Sequence, residues 1–258
     1  MNNPAILALD FDGVICDGLV EYFASTGKAY QEIWQSESLS DGAYFSEQTA
    51  QCFYQLRPVI ETGWEMPVLL RAIILNYEPQ QILENWHLVR DAIVKTENLD
   101  RQACAQALDG VRDRAIKSDL GAWLDLHRFY DGVIAKLERV LASETKLYIV
   151  TTKEGRFVKQ LLKKEGITLP DSRIIGKEAK RPKYETLRII RQQEQVAPQN
   201  IWFVEDRIQA LELVHQQLDL QDVKLFLADW GYNTVPEREL ASQKEYVQLL
   251  SLKRFIEE

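Results

Sequence analysis

The sequence predicts an α/β protein: a doubly wound parallel sheet with an all-helical segment inserted directly after its first strand. Three observations carry this prediction. Short, continuously apolar runs of strand length recur along the chain, and helical patterns separate most of them. Between about Val14 and about His127 that alternation stops and only helical patterns remain. A strand covered on both faces reads as an unbroken apolar run, and strands alternating with helices form parallel sheets.

The first run, Ala5-Ile6-Leu7-Ala8-Leu9, ends in Asp10. In the stretch that follows, Met66 to Leu75, Gln80 to Lys95 and Arg101 to Trp123 repeat apolar residues at three- and four-residue spacing, as helices do. The expected division is therefore a core of residues 1–15 and 128–258 and an insert of residues 16–127, the core resuming near Phe129-Tyr130-Asp131-Gly132. A helix over Val133 to Leu141 then leads to a strand, Lys146 to Val150, before Thr151-Thr152. Helices over Phe157 to Lys164 and Tyr184 to Gln193 precede the strand Ile201 to Val204, which runs into Glu205-Asp206. A helix from Ile208 to Leu218 and a strand from Lys224 to Ala228, before Asp229-Trp230-Gly231, follow. Ligands of such sheets sit at the carboxyl ends of the strands, so the polar residues after each run converge on one edge.

Composition narrows the function. A chain of 258 residues with 46% apolar content can bury a full core. With 31 Lys and Arg against 39 Asp and Glu, its net charge of -8 supplies no general field for nucleic acid or an anionic membrane. An anionic ligand must be held by a local cluster of donors and cations, or by a metal. Cys16, Cys52 and Cys104 stand at unrelated spacings, which reads as reduced, mostly buried thiols. Met1-Asn2-Asn3-Pro4 runs straight into the first strand without a basic leader or long apolar stretch, so a soluble cytoplasmic protein is expected.

Asp10 and Asp12 in Asp10-Phe11-Asp12-Gly13 share a face if the extended geometry persists, and two carboxylates so close require a cation or a shared proton. A hard divalent ion suits such oxygen ligands. The alternative is a strand-end turn in which Asp and Gly serve turn geometry only. Glu205-Asp206 repeats the design, and its alternative is an N-cap on the following helix. Thr151 offers a hydroxyl to a phosphoryl oxygen. In Lys177-Glu178-Ala179-Lys180-Arg181-Pro182-Lys183, most residues read as solvated, but Lys183 falls in a first helical turn, where a cation is unfavourable without an anionic partner. Arg57-Pro58-Val59-Ile60-Glu61-Thr62-Gly63-Trp64-Glu65 reads as a helix-to-helix turn with Trp64 in the insert's core, or as a substrate-facing loop. His87, His127 and His215 have no metal-ligand spacing.

Strand-plus-DFDG, the IVTTK segment, a lysine before a helix and the FVED segment, in that order, resemble the four motifs of the haloacid dehalogenase (HAD)-like hydrolase superfamily. The likeness spans Ala5 to about Tyr232, and its phosphoglycolate phosphatase-like subgroup is the best fit. It implies a Rossmann-like core with a helical C1 cap, and a magnesium-dependent phosphatase acting on a small phosphorylated metabolite. On that resemblance Asp10 is the nucleophile that forms an aspartyl-phosphate, and Asp12 the general acid and base. Thr151 binds the phosphoryl group with Lys183, while Thr152, Arg181 and Arg57 are candidate substrate contacts. Mg²⁺ is expected on Asp10, the Asp12 carbonyl and Asp206, supported by Glu205.

Two departures are visible. The motif lysine fits as Lys183-Tyr184-Glu185-Thr186-Leu187, with Lys180 and Arg181 as the neighbouring candidates, and Arg207 and Ala210 stand where relatives often carry further ligand residues. An acid at position 12 favours phosphate transfer over carbon–halogen cleavage. A sugar phosphomutase and a catalytically inert scaffold retain the same motifs. Neither nucleic acid nor membrane partners are expected, and exposed cap helices could pair in an oligomer.

Overall fold

The computed structural model describes residues 3–35 and 45–257. Met1, Asn2, residues 36–44 of the expected insert and Glu258 lie outside the described residues. Along the chain the strands are β1 (Ile6–Leu9), β2 (Cys16–Asp17), β3 (Arg128–Phe129), β4 (Lys146–Val150), β5 (Ile174–Ile175), β6 (Ile201–Glu205), β7 (Lys224–Ala228) and β8 (Val247–Leu250). One six-stranded sheet has the order β5-β4-β1-β6-β7-β8, and each neighbouring pair in it is parallel. β2 and β3 form a separate antiparallel pair.

The apolar runs explain the centre of the sheet. All four residues of β1 are buried, and they pair with Lys146 to Ile149 on one side and Ile201 to Val204 on the other. After β1 the chain builds leftward through β4 and β5, then returns to place β6 against the opposite edge of β1. The strand order therefore switches direction between β1 and β6, which is where a doubly wound sheet opens a crevice at its carboxyl edge.

Helices of this unit are α7 (Val133–Leu141), α8 (Gly155–Lys164), α9 (Lys183–Glu194), α10 (Ile208–His215), α11 (Val235–Ser242) and α12 (Leu252–Glu257). Ile6, Ala8, Phe203 and Leu225 on one sheet face join Leu187 and Ile190 of α9, Leu211 and Val214 of α10 and Ala241 of α11 in a buried cluster. Each such Leu, Ile, Val or Phe side chain stabilises the fold by about 1.5–3 kcal/mol on burial.

Chain contacts divide the protein into two compact units, residues 1–17 with 128–258, and Gly18–His127. The second unit is helical: α1 (Leu19–Trp34), α2 (Glu47–Leu56), α3 (Glu65–Ile74), α4 (Pro79–Thr96), α5 (Arg101–Ser118) and α6 (Leu120–Leu124). Buried charges organise it. Glu21 accepts from Arg112 at 2.8 and 2.9 Å and from Ser25 at 2.6 Å. Glu65 accepts from Arg90 at 2.9 Å and Trp86 at 3.2 Å.

Two helix boundaries and two edge strands differ from the sequence expectation. The helical run from Arg101 to Trp123 breaks at Asp119, whose extended backbone (φ -155°, ψ 94°) frees its carboxylate to accept from the Ala122 N–H and start α6. The helix begun at Ile208 ends at His215, and Leu218–Leu220 forms a separate 3-10 turn. β5 and β8 join the sheet edges without an apolar run to announce them. No helix among the described residues is long and apolar enough to cross a membrane.

Candidate active site

Parallel pairing carries one residue past β1, because the Asp10 N–H donates to the Val204 carbonyl at 2.9 Å. That bond places the Asp10 side chain beside the end of β6, where Glu205 and Asp206 emerge. Beyond Asp10 the strand stops. The Ile15 and Cys16 N–H groups both donate to the Phe11 carbonyl at 2.9 Å, and Gly13 turns the chain with φ +84°. Fully buried Phe11 anchors this turn against Phe129, ring edge to ring face.

One carboxylate oxygen from each of Asp10, Glu205 and Asp206 lies within 4.8 Å of the others, and all three residues are buried. Burial, then the charge of Glu205, pushes the Asp10 carboxyl up to about 7 against the opposing pull of Lys183. Burial likewise raises Glu205 to about 7, and burial with the charge of Asp10 raises Asp206 to about 6. A mostly buried cation stands against them. Lys183 Nζ lies 2.5 Å from Glu205 Oε2 and 3.0 Å from Asp10 Oδ1. Burial alone would lower the Lys183 ammonium, but the charges of Asp10 and Glu205 raise it above the ordinary lysine range.

The donor set fits a hard divalent cation, since it consists of oxygen alone. Asp10 Oδ1 supplies the test: it is buried, and apart from the Lys183 ammonium at 3.0 Å no donor among the described residues reaches it. Asp206 is aimed by the backbone, its Oδ2 accepting from the Tyr232 N–H at 2.7 Å. It does not cap α10, whose N-cap residue is Arg207 without a side-chain bond. Glu205 is more committed, because its Oε1 accepts from the Arg207 N–H at 3.2 Å while Oε2 faces Lys183.

The other expected residues distribute as follows. The Asp12 carboxylate stands apart from the three-carboxylate cluster and faces Lys153, whose Nζ lies 3.2 Å from Oδ1 and 3.4 Å from Oδ2. Thr151 is buried at the end of β4, and its Oγ1 accepts from the Lys153 N–H at 3.2 Å. Thr152 is exposed. Arg181 and Lys180 are exposed, Arg181 Nε donating to Thr186 Oγ1 at 3.0 Å. Of the three neighbouring cations, Lys183 therefore reaches the carboxylates. Arg57 belongs to the helical unit, where its guanidinium lies 5.0 Å above the Tyr22 ring and Nη1 donates to the Ile60 carbonyl at 3.1 Å. Trp64, in the same stretch, is flanked by Arg90 and Arg101 at a half-buried helix junction.

Lys153 and the seat of Asp206 were missed from sequence. Lys153 adjoins the Thr151-Thr152 pair, so its position was a signal. The seat consists of Gly13, Gly231 and Tyr232: a β-carbon on Gly13 would lie 2.0 Å from Asp206 Oδ2, and one on Gly231 would lie 2.3 Å from Asp206 Cβ. The glycine in Asp229-Trp230-Gly231 was its visible mark.

An oxygen-rich nest with a lysine against it, at the switch point of a doubly wound sheet, defines an α/β enzyme core whose chemistry lies at the strand ends. A model of the haloacid dehalogenase-like hydrolases matches residues 7–215, and the chain belongs to that family. Among solved structures, it resembles a predicted phosphatase from Clostridium acetobutylicum at 16% identity and TM-score 0.61, covering 99% of this chain and 98% of that one. A haloacid dehalogenase-like family hydrolase from Streptococcus pneumoniae aligns at 16% identity and TM-score 0.60, over 98% and 96%. A predicted phosphoglycolate phosphatase from Haemophilus somnus aligns at 14% identity and TM-score 0.61, over 96% and 94%. At these identities the likeness is one of fold. No curated protein matches the chain.

Proposed function

We propose that this chain is a magnesium-dependent phosphatase that hydrolyses a small phosphate monoester through an aspartyl-phosphate on Asp10. The observation that carries this reading is the pairing of a buried carboxylate, Asp10, with Lys183 at 3.0 Å and with two further acids, while a fourth acid, Asp12, stands two residues away. The family supports a hydrolase. Two of the aligned structures, described as a predicted phosphatase and a predicted phosphoglycolate phosphatase, support a phosphate substrate.

In this mechanism Asp10 attacks phosphorus and the substrate's leaving oxygen departs, taking a proton from Asp12 where it needs one. Asp12 then accepts a proton from the water that attacks the phosphoenzyme. Lys183 neutralises charge at Asp10 and the transferring group, and Thr151 can still donate its hydroxyl hydrogen to a phosphoryl oxygen. Asp10, the Asp12 carbonyl and Asp206 would hold Mg²⁺, supported by Glu205, and the ion would offset the repulsion between carboxylates and phosphate. Gly18–His127 is the C1 cap in this reading, with Arg57 a candidate contact to the leaving group.

Release of inorganic phosphate from a panel of phosphate monoesters tests the proposal. Wild type releases phosphate with magnesium and stops with chelator, while Asp10→Asn releases none. Equal inertness of wild type and Asp10→Asn across the panel refutes it.

A further inference from the structure

Lys153 is a second mostly buried cation in this unit, and it meets the acid that the three-carboxylate cluster leaves aside. Its side chain is 9% exposed, and its ammonium reaches both Asp12 oxygens, at 3.2 and 3.4 Å. Contact with both oxygens fixes the direction of the carboxylate as well as its distance. Lys183 does not share this task, being engaged with Asp10 and Glu205.

The backbone that carries Lys153 is itself clamped. Its N–H donates to Thr151 Oγ1 at 3.2 Å, and its carbonyl accepts from the Lys177 N–H at 2.9 Å. A β-carbon on Gly176 would lie 2.6 Å from that carbonyl oxygen, so the loop after β5 presses directly on it. Two residues on, the Gly155 N–H donates to Glu178 Oε2 at 3.1 Å. A lysine free to rotate surrenders about 2 kcal/mol of rotamer entropy when held. Clamping its main chain confines that cost to the side chain.

We propose that Lys153 is the positioning residue for Asp12, holding its carboxylate in the direction needed for hydrolysis of the phosphoenzyme; this rests on the phosphatase reading above. In that step the water oxygen bonds to phosphorus as Asp12 takes a water proton. The phosphorus–oxygen bond to Asp10 breaks, its electron pair returns to the Asp10 carboxylate, and inorganic phosphate leaves. Asp12 passes its proton to the next leaving oxygen, and nothing is oxidised or reduced. A displacement of about 1 Å in such a group costs on the order of 100-fold.

Kinetics with p-nitrophenyl phosphate and magnesium separate the two half-reactions, because this leaving group departs without a proton. Phosphoenzyme formation, read as kcat/KM, then does not depend on Asp12, whereas turnover does. Lys153→Met should keep kcat/KM within about twofold of wild type and lose roughly 10- to 100-fold in kcat, with a burst of p-nitrophenolate as phosphoenzyme accumulates. Lys153→Arg should recover most of kcat. In an Asp12→Asn background Lys153→Met should cost nothing more, since the residue it acts through is gone. Equal losses in kcat and kcat/KM, an unchanged kcat, or an additive loss in the Asp12→Asn background overturns the proposal. Failure of the phosphatase reading looks different and overturns both: wild type then releases no magnesium-dependent p-nitrophenolate, or Asp10→Asn matches it.

Discussion

Asp206 is held between two glycines, and that seat makes a prediction more specific than loss of a carboxylate. Gly13 has φ +84°, a conformation that costs other residues about 1–3 kcal/mol, and a β-carbon there would meet Asp206 Oδ2 at 2.0 Å. Gly13→Ala should therefore lower thermal stability and weaken magnesium binding, measured as the magnesium-induced rise in melting temperature; an unchanged rise would show that Asp206 is not displaced. Lys183→Met should be more severe, because truncating one partner of a buried ion pair costs about 3–5 kcal/mol. Its melting temperature should fall at neutral pH, and Lys183→Arg should recover part of the loss. The convergence of Asp10, Asp206 and Lys183 was legible because each stands close after an apolar run or at a helix start. The contact between Lys153 and Asp12 was not, since it depends on the fold-back of residues 11–16 and on the loop after β5. Neither leaves a periodic trace.

Among the elements, α11 shows how local chemistry stabilises without touching catalysis. Thr234 and Glu237 form a reciprocal capping box at its start, with the Thr234 N–H donating to Glu237 Oε2 at 2.7 Å. Thr234→Ala should destabilise the fold by about 1 kcal/mol and leave kcat unchanged, as denaturant titration beside a phosphatase assay would show. A change in kcat would mean that α11 communicates with the strand ends. The central strands were readable because burial on both faces demands unbroken apolar sequence. β5 has two residues and β8 buries only its first and last, Val247 and Leu250, so neither presents a pattern longer than chance. In the helical unit, apolar spacing alone could not show that Asp119 leaves the helix to cap the next one.

For the molecule as a whole, the buried carboxylates tie stability to pH and metal. Asp10 and Glu205 stand at about 7 in the fold against ordinary values of 3.8 and 4.5, mainly through burial. The folded state thus binds more protons than the unfolded state between about pH 4 and 7, so stability falls as pH rises through that window and the penalty is complete above it. Without metal, the melting temperature should be lower near pH 8 than near pH 5, and Asp10→Asn should show a shallower decline. Magnesium should flatten the decline, giving about 3 kcal/mol at a concentration 100 times its Kd near pH 8 and less under acid conditions, where protons compete. Parallel curves for wild type and Asp10→Asn would locate the pH dependence elsewhere. The antiparallel pairing of β2 with β3 has a different kind of consequence. Cys16 faces Phe129 and Asp17 faces Arg128, so the chain departs for the helical unit and comes back at neighbouring positions, about 5 Å apart at their Cα atoms. Residues 18–127 are in effect a cassette with adjoining ends, and a donor segment of different length and sequence could be spliced in, provided that its own ends meet at that spacing.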